Sequence, residues 1–526
     1  MRRSLWLGLG LSFALAGGAG AKTLVYCSEG SPENFQPAIN ITGTSFDAAR
    51  PVYNRLTEFK RGTVEVGPGL AESWDIADGG KTLTFHLRRQ VKFHANKEFT
   101  PTRDFNADDV IFSFERQWKP EHPFSKVSGG KYDYFNDMDM PSLLDTMEKK
   151  DDYTLVFHLK SPNVAILANL AMDFAAISSA EYGAFLLKKG TPELIDQAPM
   201  GTGPFYFVSY QKDAVIRFKK NPDYFGEKAL VDDLVYAITP DATARYAKLK
   251  AGECHVNAYP RPADLPEIQK DTALKVVSQS GLNIAFWAFN VTKPPLDKKE
   301  VRQALSMAVD RDAIIRDVYL GAGEKAKTLI PRTMWSYNDS IADYPYDPAK
   351  AKALLASAGV KSLDIDLWYQ PVQRPYNPNG KRIGEMMQAD LAKVGVNAKL
   401  VTYEWGEYRK RAQSGEHMTA QLGWTGDNGD PDNFFFLDGC TDGKPASNNI
   451  PKWCNAEYND LLVKARVLPD QAARAKLYSR MQEIEHDEAP ELLVAHSTVF
   501  EAMRANVEGY KQSPLGTHTF EGVDLK

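Results

Sequence analysis

The stretch Met418-Thr-Ala-Gln-Leu-Gly-Trp424, continued by Thr425-Gly-Asp-Asn-Gly-Asp-Pro-Asp-Asn433, decides the fold. Apolar side chains alternate with other residues up to Trp424, which is typical of a β-strand. The alternation then stops, and Gly, Asn, Asp and Pro predict a turn-rich loop. One interpretation of this loop is a plain surface turn. Its position at the end of a regular α/β pattern instead favours a functional role, with Asp427 as the charged residue.

Strands and helices alternate upstream of this loop. The pattern predicts a strand at 363–367, a loop at 371–379, a helix that ends at Gly395, a strand at 396–403 and a helix at 405–413. Together with the strand at 418–424 this is a βαβαβ arrangement, which indicates an α/β fold. Polar residues alternate with apolar ones more than a fully buried parallel sheet requires, so the strand direction stays open.

Two opposite charges follow two of these strands. Arg374 lies in the loop after the strand at 363–367, and Asp427 lies in the loop after the strand at 418–424. Open parallel α/β sheets bind ligands in the crevice at the carboxyl ends of their strands, so a parallel sheet would place both charges in one crevice. They either pair with each other as an ordinary salt bridge or each bind one end of a ligand.

A peptide with free ends suits the second possibility, because it carries an ammonium at one end and a carboxylate at the other. Their separation grows by about 3.3 to 3.6 Å per residue, so a fixed Asp and a fixed Arg select for length. The guanidinium of Arg374 can donate two parallel hydrogen bonds to a carboxylate. Trp424 can form a wall of the cavity, and Gly423 and Gly426 can let the backbone approach a ligand closely.

The amino terminus predicts export. Arg2 and Arg3 precede a short apolar run at 5–16 and the sequence Ala19-Gly-Ala21, which is typical of a signal peptide cleaved after Ala21. This segment is too short for a convincing membrane-spanning helix. No Cys lies at the cleavage point, so a lipoprotein anchor is not expected. Cleavage would leave 505 of the 526 residues and change the formal net charge from -5 to -7, which argues against nucleic acid as a partner.

Four cysteines remain in the exported chain, and two disulfides with three possible connectivities are expected. Cys440 and Cys454 flank one short polar segment, so we pair them and leave Cys27 with Cys254. The tight C-x-x-C spacing of a zinc site is absent.

Several catalytic and metal-binding classes are disfavoured. The sequence has neither H-E-x-x-H nor G-x-S-x-G, which argues against a secreted peptidase, the rival function of another class. Gly80-Lys-Thr82 lacks the Gly at position 75 that a phosphate-binding loop needs, and it is better explained by a hairpin at 74–88. The acidic run at 427–432 fails as an EF-hand, because Gly429 and Pro431 replace oxygen ligands. We expect no enzyme, metal or cofactor.

Longer motifs extend over nearly the whole exported chain. They include Lys22-Thr-Leu-Val-Tyr-Cys-Ser-Glu-Gly-Ser-Pro32, Gly69-Leu-Ala-Glu-Ser-Trp74, Gly201-Thr-Gly-Pro-Phe205, Val301-Arg-Gln-Ala-Leu305 and Gln373-Arg-Pro-Tyr-Asn-Pro-Asn379. With these motifs the chain resembles the peptide-binding proteins of bacterial ABC importers, the peptide and nickel solute-binding family 5, and most closely its dipeptide-binding branch.

The resemblance implies a bilobal periplasmic-binding-protein fold of two α/β lobes joined by a hinge, with a small β-rich subdomain in the first lobe. We expect lobe I at 22–281, with the subdomain at about 58–200, lobe II at 282–499, and a return to lobe I at 500–526. The family's function implies a monomeric periplasmic receptor that takes up dipeptides and delivers them to an inner-membrane ABC permease, with a chemoreceptor as a further partner.

The resemblance also implies site residues. Arg374 would bind the peptide carboxylate and Asp427 the ammonium, while Trp424, Thr425 and Gly426 line the same wall. The opposite lip matches at Asn40-Ile-Thr-Gly-Thr44, but Ile41 stands where the dipeptide binders have a ligand-contacting Thr, and Thr42 is the candidate replacement. Related receptors bind tripeptides, glutathione-like peptides or heme, and heme would require an axial His, Met or Tyr near the cleft.

Overall fold

The computed structural model describes residues 21–441 and 443–526. The expected signal peptide at 1–21 lies outside the described residues except for Ala21. Within the described ranges, none of the helices combines the length and the apolar character needed to cross a membrane.

Strands make up one large sheet, one smaller sheet and three short hairpins or ribbons. In chain order they are β1 (Thr23–Ser28), β2 (Thr57–Phe59), β3 (Val66–Pro68), β4 (Ala71–Ala77), β5 (Thr82–Leu87), β6 (Leu144–Asp151), β7 (Thr154–Leu159), β8 (Phe205–Gln211), β9 (Val215–Lys220), β10 (Asp233–Ile238), β11 (Val256–Asn257), β12 (Leu274–Ser280), β13 (Asn283–Phe289), β14 (Gly323–Lys325), β15 (Leu363–Trp368), β16 (Val396–Val401), β17 (Thr419–Thr425), β18 (Cys440–Thr441), β19 (Lys444–Pro445), β20 (Glu491–Arg504), β21 (Val507–Glu508) and β22 (Asp524–Leu525).

Helices cover the sheets and connect their strands. They are α1 (Gly43–Ala49), α2 (Ala107–Trp118), α3 (Asp133–Asp137), α4 (Met140–Leu143), α5 (Ile166–Asn169), α6 (Ala180–Lys189), α7 (Ala242–Ala251), α8 (Leu265–Ile268), α9 (Lys299–Ala308), α10 (Arg311–Ile314), α11 (Pro348–Ser357), α12 (Gly380–Ala392), α13 (Trp405–Gln413), α14 (Asp432–Phe435), α15 (Ala456–Val467) and α16 (Gln471–Glu488).

Helix ends follow the capping residues of the sequence. The side chain of Asp241 accepts a hydrogen bond from the first turn of α7, and Gly252 ends that helix with φ 78°. Asp347 caps α11 in the same way, and Pro348 occupies its first position, where a missing N–H costs nothing. On α9, Val301 and Leu305 are fully buried, because their spacing places both on the apolar face of the helix.

The large sheet joins two α/β halves through one long strand. Its order is β16-β15-β17-β13-β20-β11-β1-β10-β9-β8, and β12 and β14 also pair with β20. The first part of β20 pairs with β13, and its last part pairs with β11 and β12. Because β12 and β13 are consecutive along the chain, the chain passes from one half to the other at Gly281–Leu282 and again within β20.

The βαβαβ arrangement forms the outer part of this sheet. Strand β15 pairs with β16 in parallel, with Leu363 opposite Val396, and with β17 in parallel, with Leu367 opposite Thr419. The strand direction that the sequence left open is therefore parallel. The loop that carries Arg374 and the loop that carries Asp427 consequently leave the same edge of the sheet.

A small antiparallel sheet of order β4-β5-β7-β6 lies apart from the large one. The predicted hairpin is confirmed, because β4 and β5 are antiparallel neighbours joined at Asp78, Gly79 and Gly80. All three residues have positive φ, which glycine adopts without steric cost. Strand β7 pairs with β5 on its other side, so both strands belong to this one sheet.

The carboxyl-terminal segment packs back against the start of the chain. His518 is fully buried, with Nδ1 2.7 Å from Asp47 Oδ2 and Nε2 2.6 Å from Glu501 Oε1. Burial alone would lower the pKa of His518, but the two carboxylates raise it well above its usual value. A protonated imidazole therefore ties the tail to α1 and to β20.

Two disulfides join the cysteines in the pairs expected from the sequence. Cys27 on β1 is bonded to Cys254, with their Cα atoms 5.8 Å apart, and Cys440 is bonded to Cys454, with 6.0 Å between Cα atoms. Among the described residues no cysteine is free.

Candidate functional site

A cavity of about 240 Å³ lies between the two halves, at the edge where the parallel strands end. Its volume is slightly below the range of about 300 to 1,000 Å³ typical of small-molecule sites. The structure brings all seven predicted ligand-binding residues to its lining, namely Ile41, Thr42, Arg374, Trp424, Thr425, Gly426 and Asp427.

The Asp427 loop is held by one amide side chain. Asn433 Oδ1 accepts from the backbone N–H of Asp427 at 2.8 Å and from the indole N–H of Trp424 at 3.1 Å. Asn433 therefore orients the carboxylate and the aromatic wall together. The carboxylate also accepts a hydrogen bond from the hydroxyl of Tyr134, at 3.2 Å from Oδ1.

The loop contains three aspartates, and two of them already have cationic partners. Asp430 forms a bidentate pair with Arg474 at 2.7 and 2.8 Å, and Asp432 pairs with Arg466 at 2.7 Å. Asp427 has no Lys, Arg or His nitrogen within 4.0 Å among the described residues. Burial raises the pKa of Asp427 to about 7, and hydrogen bonds from Tyr134 and Asn433 only partly oppose this.

Arg374 is equally free of a partner carboxylate. Its loop is closed by two backbone hydrogen bonds between Arg374 and Asn377, each 3.0 Å long. The guanidinium lies 4.9 Å from the ring centroid of Trp405, in a cation–π contact. Within the described part of the chain no carboxylate lies within 4.0 Å of this guanidinium, so Arg374 and Asp427 do not form the salt bridge that was the alternative interpretation.

The opposite lip is formed by the start of α1. Thr42 is the N-cap of this helix, and its hydroxyl donates to Ser45 Oγ at 3.2 Å while accepting from the Ser45 backbone N–H. The one hydroxyl proton of Thr42 is thus already donated to Ser45 and is not available to a ligand in this arrangement. The side chain of Ile41 is apolar, at the position where the resemblance implies a ligand-contacting Thr.

The two glycines of the wall are required by packing inside the protein. A Cβ on Gly423 would lie 2.2 Å from the carbonyl oxygen of Ile284 and 2.5 Å from the ring of Tyr376. A Cβ on Gly426 would lie 2.8 Å from the ring of Phe434. Both glycines therefore let the backbone approach neighbouring protein atoms closely, and their close approach to a ligand stays a prediction.

Sequence analysis missed most of the other lining residues, and three of these contribute to the account of the site, namely Tyr134, Trp405 and Arg409. Tyr134 lies on α3, 293 residues before the Asp427 that it contacts, and no local pattern indicates such a pairing. Trp405 and Arg409 are four residues apart on α13, and this spacing is a signal that could have placed them on one face.

Comparison with protein families gives one match that covers most of the chain. Residues 65–445 match the family of bacterial extracellular solute-binding proteins, family 5. The dipeptide-binding protein of Escherichia coli (strain K12) is 54% identical over 532 aligned residues, with 100% of this chain and 99% of that protein covered. Heme-binding protein A of Haemophilus influenzae is 50% identical, with 96% and 92% covered.

A solved structure shows the same fold. The dipeptide-binding protein from Pseudoalteromonas sp. SM9913, in complex with Met-Leu, is similar to this chain with a TM-score of 0.91 and 38% sequence identity. The alignment covers 96% of this chain and 100% of that one.

Proposed function

The chain belongs to family 5 of the bacterial extracellular solute-binding proteins, and from this membership we propose that it captures dipeptides with free amino and carboxyl ends in the cavity between its lobes. Asp427 binds the ammonium, and Arg374 binds the terminal carboxylate. Trp424, Thr425 and Gly426 form the wall between them, and Ile41 and Thr42 close the opposite lip.

One observation carries this proposal. The cavity holds a carboxylate, Asp427, and a guanidinium, Arg374, that have no counter-ion among the described residues and do not pair with each other, although neighbouring aspartates and arginines are paired. Leaving a partly buried charge unpaired costs free energy, which a ligand with both charges would recover on binding. A dipeptide zwitterion is such a ligand, and the E. coli relative is named for binding dipeptides.

We propose lobe I at residues 22–281 and 500–526 and lobe II at 282–499. The support is that the chain crosses between the halves at Gly281–Leu282 and within β20. Contacts across the cavity, such as Tyr134 with Asp427 and Asn169 with Asn428, would form on closure and break on opening. Such hinge closure traps ligand.

The biological setting follows from the family. We propose a monomeric periplasmic protein, exported after cleavage behind Ala21, that delivers peptide to an inner-membrane ABC permease and also contacts a chemoreceptor. The two disulfides suit an oxidising compartment. The named relatives are solute-binding proteins, so we assign binding and release without chemistry on the peptide.

Heme is the second candidate ligand, because one relative with 50% sequence identity is named a heme-binding protein. The cavity lining includes Tyr134 and Tyr259, and tyrosine is a known axial ligand of heme iron. Tripeptides and glutathione-like peptides are further alternatives that share the two end charges.

Thermal unfolding with a ligand panel tests the assignment. Ligands that bind only the folded state raise the melting temperature, by an amount equivalent to about 2.7 kcal/mol at a concentration of 100 times Kd. We expect dipeptides to give the largest rise, tri- and tetrapeptides progressively less, and glutathione and heme little. A larger rise with heme than with any dipeptide would contradict the proposal.

A further inference from the structure

Helix α13 presents one stripe of side chains to the cavity. Trp405, Arg409 and Gln413 lie four residues apart and all three line the cavity, because this spacing places side chains on one face of a helix. The neighbouring stripe, with Tyr408 and Ala412, is fully buried and fixes the helix against the sheet. Arg409 is therefore held in place by the packing of its own helix.

Arg409, on α13 of the second half, differs from the arginines that line the cavity on the side of the first half. Arg50 pairs with Asp47 and Asp173, and Arg55 pairs with Glu58 and Asp173. Across the described residues, Arg409 has no carboxylate within 4.0 Å, and its guanidinium makes no hydrogen bond. Its identified partner is the face of Trp405, with 5.9 Å between the guanidinium carbon and the ring centroid.

The charges around Arg409 do not compensate it. Burial lowers its pKa, Tyr134 and Tyr376 oppose this effect, and Arg374 adds to it by repulsion. Among the nearby acids, Glu33 raises the pKa of Arg409 only weakly. Asp137 accepts hydrogen bonds from Ser447 and Asn448, and burial raises its pKa to about 7. The attraction of Arg409 opposes this rise only weakly, and among the described residues the two groups form no ion pair within 4.0 Å. Within the described part of the chain, the cavity thus holds two guanidinium groups without a paired carboxylate, Arg374 and Arg409, and one carboxylate without a paired cation, Asp427.

This excess of one positive charge in the cavity predicts that the site can bind a ligand carboxylate at more than one position. A guanidinium binds a carboxylate through two parallel hydrogen bonds, and these are stronger where water is excluded. Trp405 contacts both guanidinium groups, so two charged donors lie beside the same ring in the lining of the cavity.

We propose that Arg409 binds a ligand carboxylate: either the side-chain carboxylate of an acidic residue in a dipeptide whose terminal carboxylate Arg374 holds, or, in place of Arg374, the terminal carboxylate of a tripeptide. This inference rests on the proposed function and adds a preference to it. Each source supplies the same chemical group at a different place along the peptide, and the experiment separates them.

Isothermal calorimetry with matched peptide pairs tests the proposal. Ala-Glu is compared with Ala-Gln, Glu-Ala with Gln-Ala, and Ala-Ala-Ala with Ala-Ala, on the wild type, Arg409→Gln and Arg409→Lys. Arg411→Gln is the matched control, because Arg411 lies on the same helix, pairs with Glu407 and is outside the cavity lining. Circular dichroism verifies that each variant is folded.

For a side-chain carboxylate, we expect the wild type to bind at least one acidic peptide at least about tenfold more tightly than its amide partner. Arg409→Gln should remove this ratio, whereas Arg409→Lys should keep part of it and Arg411→Gln all of it. For a terminal carboxylate, the ratio of the tripeptide to Ala-Ala should instead fall at least about tenfold in Arg409→Gln.

The proposal is overturned if wild type shows ratios near one for both acidic pairs and Arg409→Gln leaves the tripeptide ratio unchanged. If Arg409→Gln does not fold, the wild type and Arg409→Lys decide: ratios near one for both acidic pairs, with an unchanged tripeptide ratio, overturn the proposal. If Ala-Ala itself does not bind to wild type, the proposed dipeptide function fails. If wild type instead binds Ala-Ala but shows no preference for acidic peptides and no effect of Arg409 on tripeptides, only the proposal for Arg409 fails.

Discussion

Asp427→Asn should weaken dipeptide binding by between roughly 30-fold and several thousand-fold, because truncating one member of a desolvated charge pair costs about 2 to 5 kcal/mol. The substitution keeps the shape of the side chain and an oxygen that can accept the Tyr134 hydrogen bond. It removes only the charge that meets the peptide ammonium. The measurement is the dissociation constant of a neutral dipeptide such as Ala-Ala, determined by calorimetry.

Protonation of Asp427 provides an independent readout of the same residue. Burial raises its pKa to about 7 in the ligand-free protein. Lowering the pH therefore protonates the carboxylate, and a peptide must then bind to a neutral side chain. Wild-type affinity should fall by about tenfold per pH unit below roughly pH 6, whereas Asp427→Asn should lose this pH dependence. Above pH about 8 the peptide amine itself loses its proton, which sets an upper limit.

Asp75→Asn is the matched control for this substitution. Asp75 is 76% exposed on the small sheet, and its carboxylate lies 2.8 Å from Nε2 of His86. Its removal should leave both affinity and pH dependence unchanged. If Asp427→Asn also binds Ala-Ala within twofold of wild type, Asp427 is only a turn residue and the assignment of the ammonium site is wrong.

His518→Gln should destabilise the protein by about 3 to 5 kcal/mol, the typical cost of removing one partner from a buried ion pair. The change leaves the carboxylates of Asp47 and Glu501 buried without the cation between them. Chemical denaturation gives the free energy of unfolding, and the tail at 505–526 should show the earliest loss of protection in hydrogen exchange.

The pH dependence of this loss has a definite sign. The folded-state pKa of His518 is raised above its ordinary value of 6.5, so its stabilisation is complete below pH 6.5 and is lost as pH rises through the folded-state value. The deficit of His518→Gln should therefore shrink at high pH. His86→Gln is the control, because the exposed His86–Asp75 pair contributes at most about 1 kcal/mol. Equal losses from both substitutions would contradict the assignment.

Local patterns in the sequence predict the βαβαβ arrangement and the two charged loops well. Helix caps such as Asp347 and the hairpin at 78–80 depend on neighbouring residues alone, so they can be recognised without the fold. Strand direction could not be decided, because the alternation in β15 and β17 is compatible with either arrangement. It is set by the pairing of strands that are more than 50 residues apart, as between Leu367 and Thr419.

The residues that sequence analysis missed lie far from their partners along the chain. Tyr134 meets Asp427, and His518 meets Asp47 471 residues away. The role of Thr42 was also hidden, because whether a hydroxyl caps its own helix or faces a ligand depends on local geometry. Sequence analysis missed Arg409 for a different reason. Its importance follows from the absence of a counter-ion among the described residues, which is a property of the packed cavity.

The central claim is that the site recognises both charged ends of a dipeptide at once. Calorimetry of wild-type protein with Ala-Ala, its N-acetylated form and its carboxyl-terminal amide tests this claim most directly. We predict that each blocked peptide binds at least roughly 30-fold more weakly than the free one, since each leaves Asp427 or Arg374 without its ligand charge. Equal affinity of the free and the N-acetylated peptide would contradict the account.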